Sequence, residues 1–195
     1  MYASLNDSAL WAKVTEGDKE ALAFVYRTSF PALFRYGMKL QADESLVKDC
    51  IHDLFVTIWL SRERLSSTDS IKYYLLASLK RRISAQLQKN AVDSFEDVPE
   101  TVAISASPEE NIIREQAGQE LQLKLVKMMG QLPPRQQEIL HLRFYEGLSP
   151  QETANIMDLS LNSSYVLLSK ALNFLKKHSE GLKCALFIVI QLIHL

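Results

Sequence analysis

Cysteine, glycine, proline, basic excess and membrane-length apolar runs are all scarce in this chain, and each shortage removes a class of protein. Two cysteines among 195 residues, Cys50 and Cys184, are too few and too far apart for a disulfide framework, so a reducing compartment fits and both read as small apolar fillers. Six glycines, six prolines and almost no alternation at period two, beside many Leu, Ala, Lys and Glu, predict a nearly all-helical protein that needs no sheet. Residues 1–7 lack the basic start and apolar run of a signal peptide, so the chain is expected to stay inside the cell. The apolar stretch 182–195 is the longest candidate anchor. As a helix of roughly 14 residues it reaches only about 21 Å, against a hydrocarbon core of about 30 Å. Packing on the second half of the chain or on a partner, and lying in a membrane surface, both stay open for it.

The groups that chemistry needs are missing as well. His52, His141, His178 and His194 have no metal-ligand spacing with one another or with cysteine, and no Gly-rich phosphate loop is present. Cys50 and His52, two apart on a helix, point to different faces. Neither a catalytic site nor a cofactor nor a metal is expected.

What remains is a helical chain with 47% apolar residues, enough to bury a core in one domain or in two. A net charge of −1 and a pI near 6.4 do not advertise a nucleic-acid binder. The charge is segregated, however. Residues 71–90 hold Lys72, Lys80, Arg81, Arg82 and Lys89 without an acid, whereas 91–120 hold eight acids against Arg114 alone. A basic surface is followed by an acidic connector.

Residues 18–40 read as a helix or a helical pair, with Pro31 marking a start or a kink. In residues 45–60, Val47, Ile51, Leu54, Phe55 and Ile58 recur on one helical face and leave Lys48, Asp49, His52 and Asp53 outside. A polar break at 66–70 precedes a helix over 71–89 with Leu75, Leu76, Leu79, Ile83 and Leu87 inward. Residues 91–107 have linker composition. Ser107-Pro108-Glu109-Glu110 then opens a long helix to about Gly130, and another runs from Pro134 to Tyr145 until Glu146-Gly147 ends it. The organisation is therefore a first domain over 1–90, a flexible acidic linker over 91–107, a second domain over 108–180 and an apolar tail over 181–195.

Ser149-Pro150-Gln151-Glu152 is a capping box with proline in the first turn. It opens a short helix to about Met157, with small Ala154 at its crossing point. After a turn at Asp158-Leu159-Ser160, a longer helix runs over 161–177 with Ser164, Leu168, Ala171, Leu172 and Leu175 inward. Spacing alone leaves two readings, an ordinary helical hairpin and a DNA-binding helix-turn-helix. In the second, Asn162, Ser163, Tyr165, Val166 and Ser169 meet bases or phosphates.

Two blocks resemble the extracytoplasmic-function sigma factors, the smallest branch of the sigma-70 family, which keep only regions 2 and 4. Asp49-Cys50-Ile51-His52-Asp53-Leu54-Phe55-Val56-Thr57-Ile58-Trp59 is similar to the family's Asp-x-x-Gln-Asp/Glu-x-Phe-x-x-x-Trp helix. Leu132-Pro133-Pro134-Arg135-Gln136-Gln137-Glu138-Ile139-Leu140 with Arg143-Phe144-Tyr145-Glu146-Gly147-Leu148-Ser149 resembles the run that opens region 4. The resemblance implies a region 2 helical bundle and a region 4 four-helix domain, in a cytoplasmic protein that brings RNA polymerase core to promoter DNA.

It also implies roles. Asp49, His52, Asp53, Phe55 and Trp59 would dock on the clamp coiled coil of the polymerase largest subunit, with Phe55 and Trp59 as aromatic anchors, although Trp59 as plain core filling stays open. Tyr73, Tyr74, Lys80, Arg81 and Arg82 would hold the unstacked strand of the −10 element, with a core Tyr74 and a solvated cationic face as the alternative. Arg135, Arg143, Asn162, Ser163, Tyr165, Val166, Ser169 and Lys170 would meet the −35 element. The linker would thread the polymerase RNA exit path, the flap would contact region 4, and an anti-sigma protein, often membrane-spanning in such relatives, would cover the polymerase-binding surfaces.

The chain departs from the family pattern in two places. Arg81 and Ala85 replace the usual Asn and acid or Asn. Ser163-Ser164-Tyr165-Val166-Leu167-Leu168-Ser169-Lys170-Ala171 replaces Thr-Val-Lys-x-Arg-Leu-x-Arg-Ala, so two expected cations have become Tyr165 and Leu167 and a shallow salt dependence is expected. The competing reading is a helix-turn-helix regulator that binds duplex DNA without polymerase. A third is a sigma-like protein kept only as an interaction module.

Overall fold

A computed structural model describes residues 2–93 and 128–178, and within them every regular element is helical. The chain divides into two units, Met1–Ser105 and Ala106–Leu195. Each is described by itself.

In the first unit a 3₁₀ turn, Tyr2–Ser4, precedes α1 (Asp7–Thr15), α2 (Lys19–Leu40), α3 (Glu44–Ser61), a second 3₁₀ turn (Arg62–Arg64) and α4 (Ile71–Asp93). Short polar side chains start the helices by accepting their otherwise unpaired N–H groups. Asn6 accepts from Ala9, Asp18 from Glu20 and Ala21, and Asp43 from Leu46. The start of α4 is capped from a distance, where the Asp7 carboxylate accepts the Ile71 N–H at 2.8 Å. Pro31 neither begins nor divides a helix. It sits exposed inside α2, which runs unbroken past it.

The core of this unit is built from the faces that the periodicity marks. Val47, Ile51, Leu54, Phe55 and Ile58 of α3 and Leu75, Leu76, Leu79 and Ile83 of α4 are all buried, and Cys50 is buried among them. Each such aliphatic side chain contributes roughly 1.5–3 kcal/mol when withdrawn from water. α1 closes the bundle with Leu10, Trp11 and Val14, an element that the sequence reading does not contain. Trp11 donates from Nε1 to the Ser66 carbonyl at 3.0 Å, which ties the polar break at 66–70 to the core. α2 and α3 approach closely at Gly37, where a Cβ would stand 2.5 Å from Val47 Cγ1.

In the second unit α5 (Pro134–Leu140) continues into a π-helical turn (His141–Tyr145), followed by α6 (Pro150–Ile156) and α7 (Leu161–His178). The Glu146 N–H reaches back five residues to the His141 carbonyl at 3.0 Å, and Gly147 then takes a φ of +70°, which favours glycine. The capping box is formed, with Glu152 N–H on Ser149 Oγ at 3.2 Å and Ser149 N–H on Glu152 Oε2 at 2.8 Å. Leu132, Leu140 and Ala171 form the buried centre, with Phe144, Leu168, Leu172 and Leu175 packed against it.

Where α4 runs to Asp93, residues 91–93 are helical rather than linker. The remainder of the 91–107 linker, most of the helix expected over 108–130, and the tail 181–195 with Cys184 and His194 lie outside the described residues. No described helix is long and apolar enough to cross a membrane.

Candidate functional site

The antiparallel pair α2 and α3 leaves an open groove of about 470 Å³ on its outer side. Lys19, Leu22, Ala23, Tyr26 and Arg27 line it from α2, and His52, Phe55, Val56, Trp59 and Leu60 from α3. Of the residues expected to bind polymerase, the groove brings His52, Phe55 and Trp59 together, whereas Asp49 and Asp53 are exposed on α3 but do not line it. The aromatic anchors have different standings. Phe55 is 6% exposed and meets the edge of Tyr26 at 4.9 Å, so it forms the floor. Trp59 is half-buried under the Arg62 guanidinium, 4.7 Å from its ring centre, and Arg62 Nη1 also donates to the Trp59 carbonyl.

The apolar groups that do reach solvent are Leu60, Val56 and Tyr26, at 76%, 41% and 37% exposure. Sequence reasoning missed all three, together with Leu22. Their signal is a second stripe beside the core stripe: Leu22 and Tyr26 are four apart on α2, and Val56 and Leu60 four apart on α3.

On α4 the expected strand-holding residues separate. Tyr73 and Lys80 share one side at seven-residue spacing, and exposed Arg81 lies beside them, donating to Ser78 Oγ at 3.3 Å. Tyr74 packs its ring 4.9 Å from Trp11, and Arg82 donates to Thr57 Oγ1 of α3 at 2.8 Å. Those two side chains hold the bundle together.

In the second unit α6, its turn and α7 make the helix-turn-helix geometry. Ala154 is fully buried, Asp158 takes a φ of +53°, and the Leu159 N–H bonds the Ala154 carbonyl at 2.9 Å to close the turn. Ser160 Oγ accepts the Ser163 N–H at 3.1 Å and so caps α7. Ser164 and Ala171 are buried, which turns Asn162, Ser163, Tyr165, Val166, Ser169 and Lys170 outward together. Arg135, which is exposed, and Arg143 lie outside α7. Arg135 donates to the Met157 carbonyl at the end of α6 at 3.0 Å, and Arg143 donates to the Leu148 carbonyl. Both arginines brace the loops around α6.

Residues 122–175, which contain this helix-turn-helix, match the family model described as sigma-70, region 4. The match covers this helix-turn-helix and leaves the first unit outside it. CnrH, solved in complex with the cytosolic domain of CnrY, shares the fold with a TM-score of 0.58 and 18% identity, over 88% of this chain and 95% of that one. The sigma factor RpoE, solved with the anti-sigma factor NepR from Bartonella quintana, gives 0.56 and 21% identity, over 85% and 98%. At these identities the likeness is one of fold. No curated protein matches the chain.

Proposed function

We propose that this chain is an alternative sigma factor of the cytoplasm, which directs bacterial RNA polymerase to its own promoters and catalyses nothing itself. The observation that carries the reading is the coexistence in one chain of the exposed apolar groove on α2 and α3 with a region 4 helix-turn-helix whose second helix faces solvent. A regulator that acts without polymerase would spend such a groove on its own dimer, an outcome that the test below separates from core binding.

The physical roles follow from the surfaces. Leu60, Val56 and Tyr26 are apolar groups held rigidly on two helices, with Lys19 and Arg27 at the rim. Such a patch suits a helical partner on the polymerase clamp, because a few buried anchors supply most of the energy of an interface. Tyr73, Lys80 and Arg81 offer one aromatic ring and two cations on one side of α4, a combination that holds an unstacked strand. The second unit contributes duplex contacts through α7. Each contact is weak alone, and joining them in one chain raises the effective concentration of the second once the first has formed. An anti-sigma protein that covers the groove would hold the factor inactive. RpoE was solved with an anti-sigma factor, and CnrH with the cytosolic domain of a second protein, CnrY.

The test is retention of the chain on sigma-free core polymerase, with transcription from promoters selected by the complex. Val56→Asp with Leu60→Asp places two charges in the groove at already exposed positions, so folding is kept while core binding is lost. Core binding as tight as that of the parent chain, or duplex DNA bound by the free chain as a dimer without any affinity for core, would sink the proposal.

A further inference from the structure

We infer that the outward face of α7 reads A·T base pairs, through the Asn162 amide and the apolar surfaces of Val166 and Tyr165, and not guanine. The inference rests on the proposed duplex binding by the second unit and names the sequence class that this unit selects.

Three observations carry it. First, Val166 and Tyr165 are 54% and 48% exposed, on the side of α7 opposite buried Ser164 and Ala171, so apolar area stands where a base-reading face belongs. The apolar group in the major groove is the thymine methyl. Second, Asn162 is exposed and lies four residues before Val166, hence on the same stripe. A carboxamide offers one donor and one acceptor, the complement of adenine N7 and N6. Third, residues 161–169 contain no charged side chain at all. Guanine O6 and N7 are both acceptors and are read by arginine or lysine. The first cation of α7 is Lys170, nine residues or about 13.5 Å along the axis from Leu161. Base edges are met by the beginning of a recognition helix, so Lys170 is left for the phosphates.

Register follows from the same geometry. Asn162 and Val166 are separated by about 6 Å of helix rise, close to two base steps of about 3.4 Å. The site therefore has an adenine and a thymine within about two steps of each other. Ser160 and Ser163, whose hydroxyls lie 2.8 Å apart at the helix start, supply hydrogen bonds for the adjoining phosphate.

The experiment uses the full chain assembled on core RNA polymerase. Duplexes are enriched from a random pool and sequenced, and deoxyuridine, which lacks only the methyl group, then replaces thymine in the selected sites. The element whose preference changes in Asn162→Ala is the one under α7. The expected element is A·T-centred, each thymine-to-deoxyuridine change weakening binding about fourfold, the worth of one buried methyl. Val166→Ala removes that dependence, and Asn162→Ala loses about tenfold on sites with the selected adenine. A guanine-centred element under α7, or deoxyuridine sites bound as well as thymine sites, overturns the inference and leaves the sigma reading standing. If the polymerase complex forms but enriches no duplex, duplex reading by the second unit falls, and the inference with it.

Discussion

Gly37 sets the distance between the two helices that form the groove, and its replacement by alanine tests how rigidly that distance is held. The added Cβ would stand 2.5 Å from Val47 Cγ1 and 3.4 Å from Cγ2, whereas carbon atoms in contact settle at about 3.5–4.0 Å. Either Val47 or the spacing of the two helices must give by about 1 Å. Val47 is fully buried on α3, and a valine in a helix has one strongly preferred rotamer, so turning it aside is expensive. Parting α2 from α3 opens the core at Leu33, Ile51 and Leu54. Overpacking of this kind costs roughly 1–3 kcal/mol. Against it stands the gain of about 1 kcal/mol when alanine replaces glycine inside a helix.

The net expectation for Gly37→Ala is a loss of up to about 2 kcal/mol. Urea unfolding followed by tryptophan fluorescence isolates the effect, because both tryptophans, Trp11 and Trp59, belong to the first unit. Val47→Ala alone also destabilises, by about 2 kcal/mol for two buried methyl groups and the space they leave. In the double variant the new methyl occupies part of that space, so its cost falls short of the sum of the singles by about 1 kcal/mol or more. Stabilisation by Gly37→Ala, or additivity of the two changes within about 0.5 kcal/mol, would refute the close approach.

Three further outcomes are expected. Ser149→Ala removes one half of the capping box and lowers the stability of the second unit by about 1 kcal/mol, readable as a shift in thermal unfolding by circular dichroism. Arg135→Gln frees the Met157 carbonyl at the end of α6 and costs about 1 kcal/mol, while the base preference of the selected DNA sites is unchanged, since Arg135 lies outside α7 and braces the turn. The Asp18 carboxyl is held below the usual range chiefly by the hydrogen bond from Tyr2, then by the backbone N–H of Ala21. A folded pKa below the unfolded value means stability that is present above about pH 4 and lost as pH falls through the folded pKa. Tyr2→Phe should therefore raise the Asp18 pKa in a carboxyl NMR titration, and an unmoved titration would remove the phenol as its cause.

Most of the fold is legible in the sequence because the core stripes are local. Val47, Ile51, Leu54 and Ile58, and then Leu75, Leu76, Leu79 and Ile83, recur at helical spacing and are buried as that spacing predicts. The capping box at Ser149 and Glu152 is likewise a contact three residues apart. α1 escapes notice since its apolar positions, Leu10, Trp11 and Val14, make too short a stripe, and Trp11 gains its place from Tyr74 and Ser66, more than fifty residues away. As a helix start Pro31 misleads for the opposite reason: its rule is local, whereas α2 begins at Lys19 and runs past it to Leu40.

The candidate surfaces are harder to read than the fold, and the cations show why. Arg82, Arg135 and Arg143 look like nucleic-acid contacts in the sequence, yet each spends donors inside its own unit, on Thr57, on the Met157 carbonyl and on the Leu148 carbonyl. A guanidinium has five donors in a fixed fork, and a carbonyl left over at a helix end can take one of them as readily as a solvent-facing partner can. Composition cannot tell the two uses apart, because the deciding acceptor for two of these arginines lies 25 or 22 residues away in the chain. The same ambiguity runs in reverse at Leu60 and Val56. Both read as core residues by type, and only the packing shows them exposed, at 76% and 41%. What a sequence of this kind encodes least visibly is thus which polar groups are already satisfied and which apolar groups are not, and those two sets are what a partner meets.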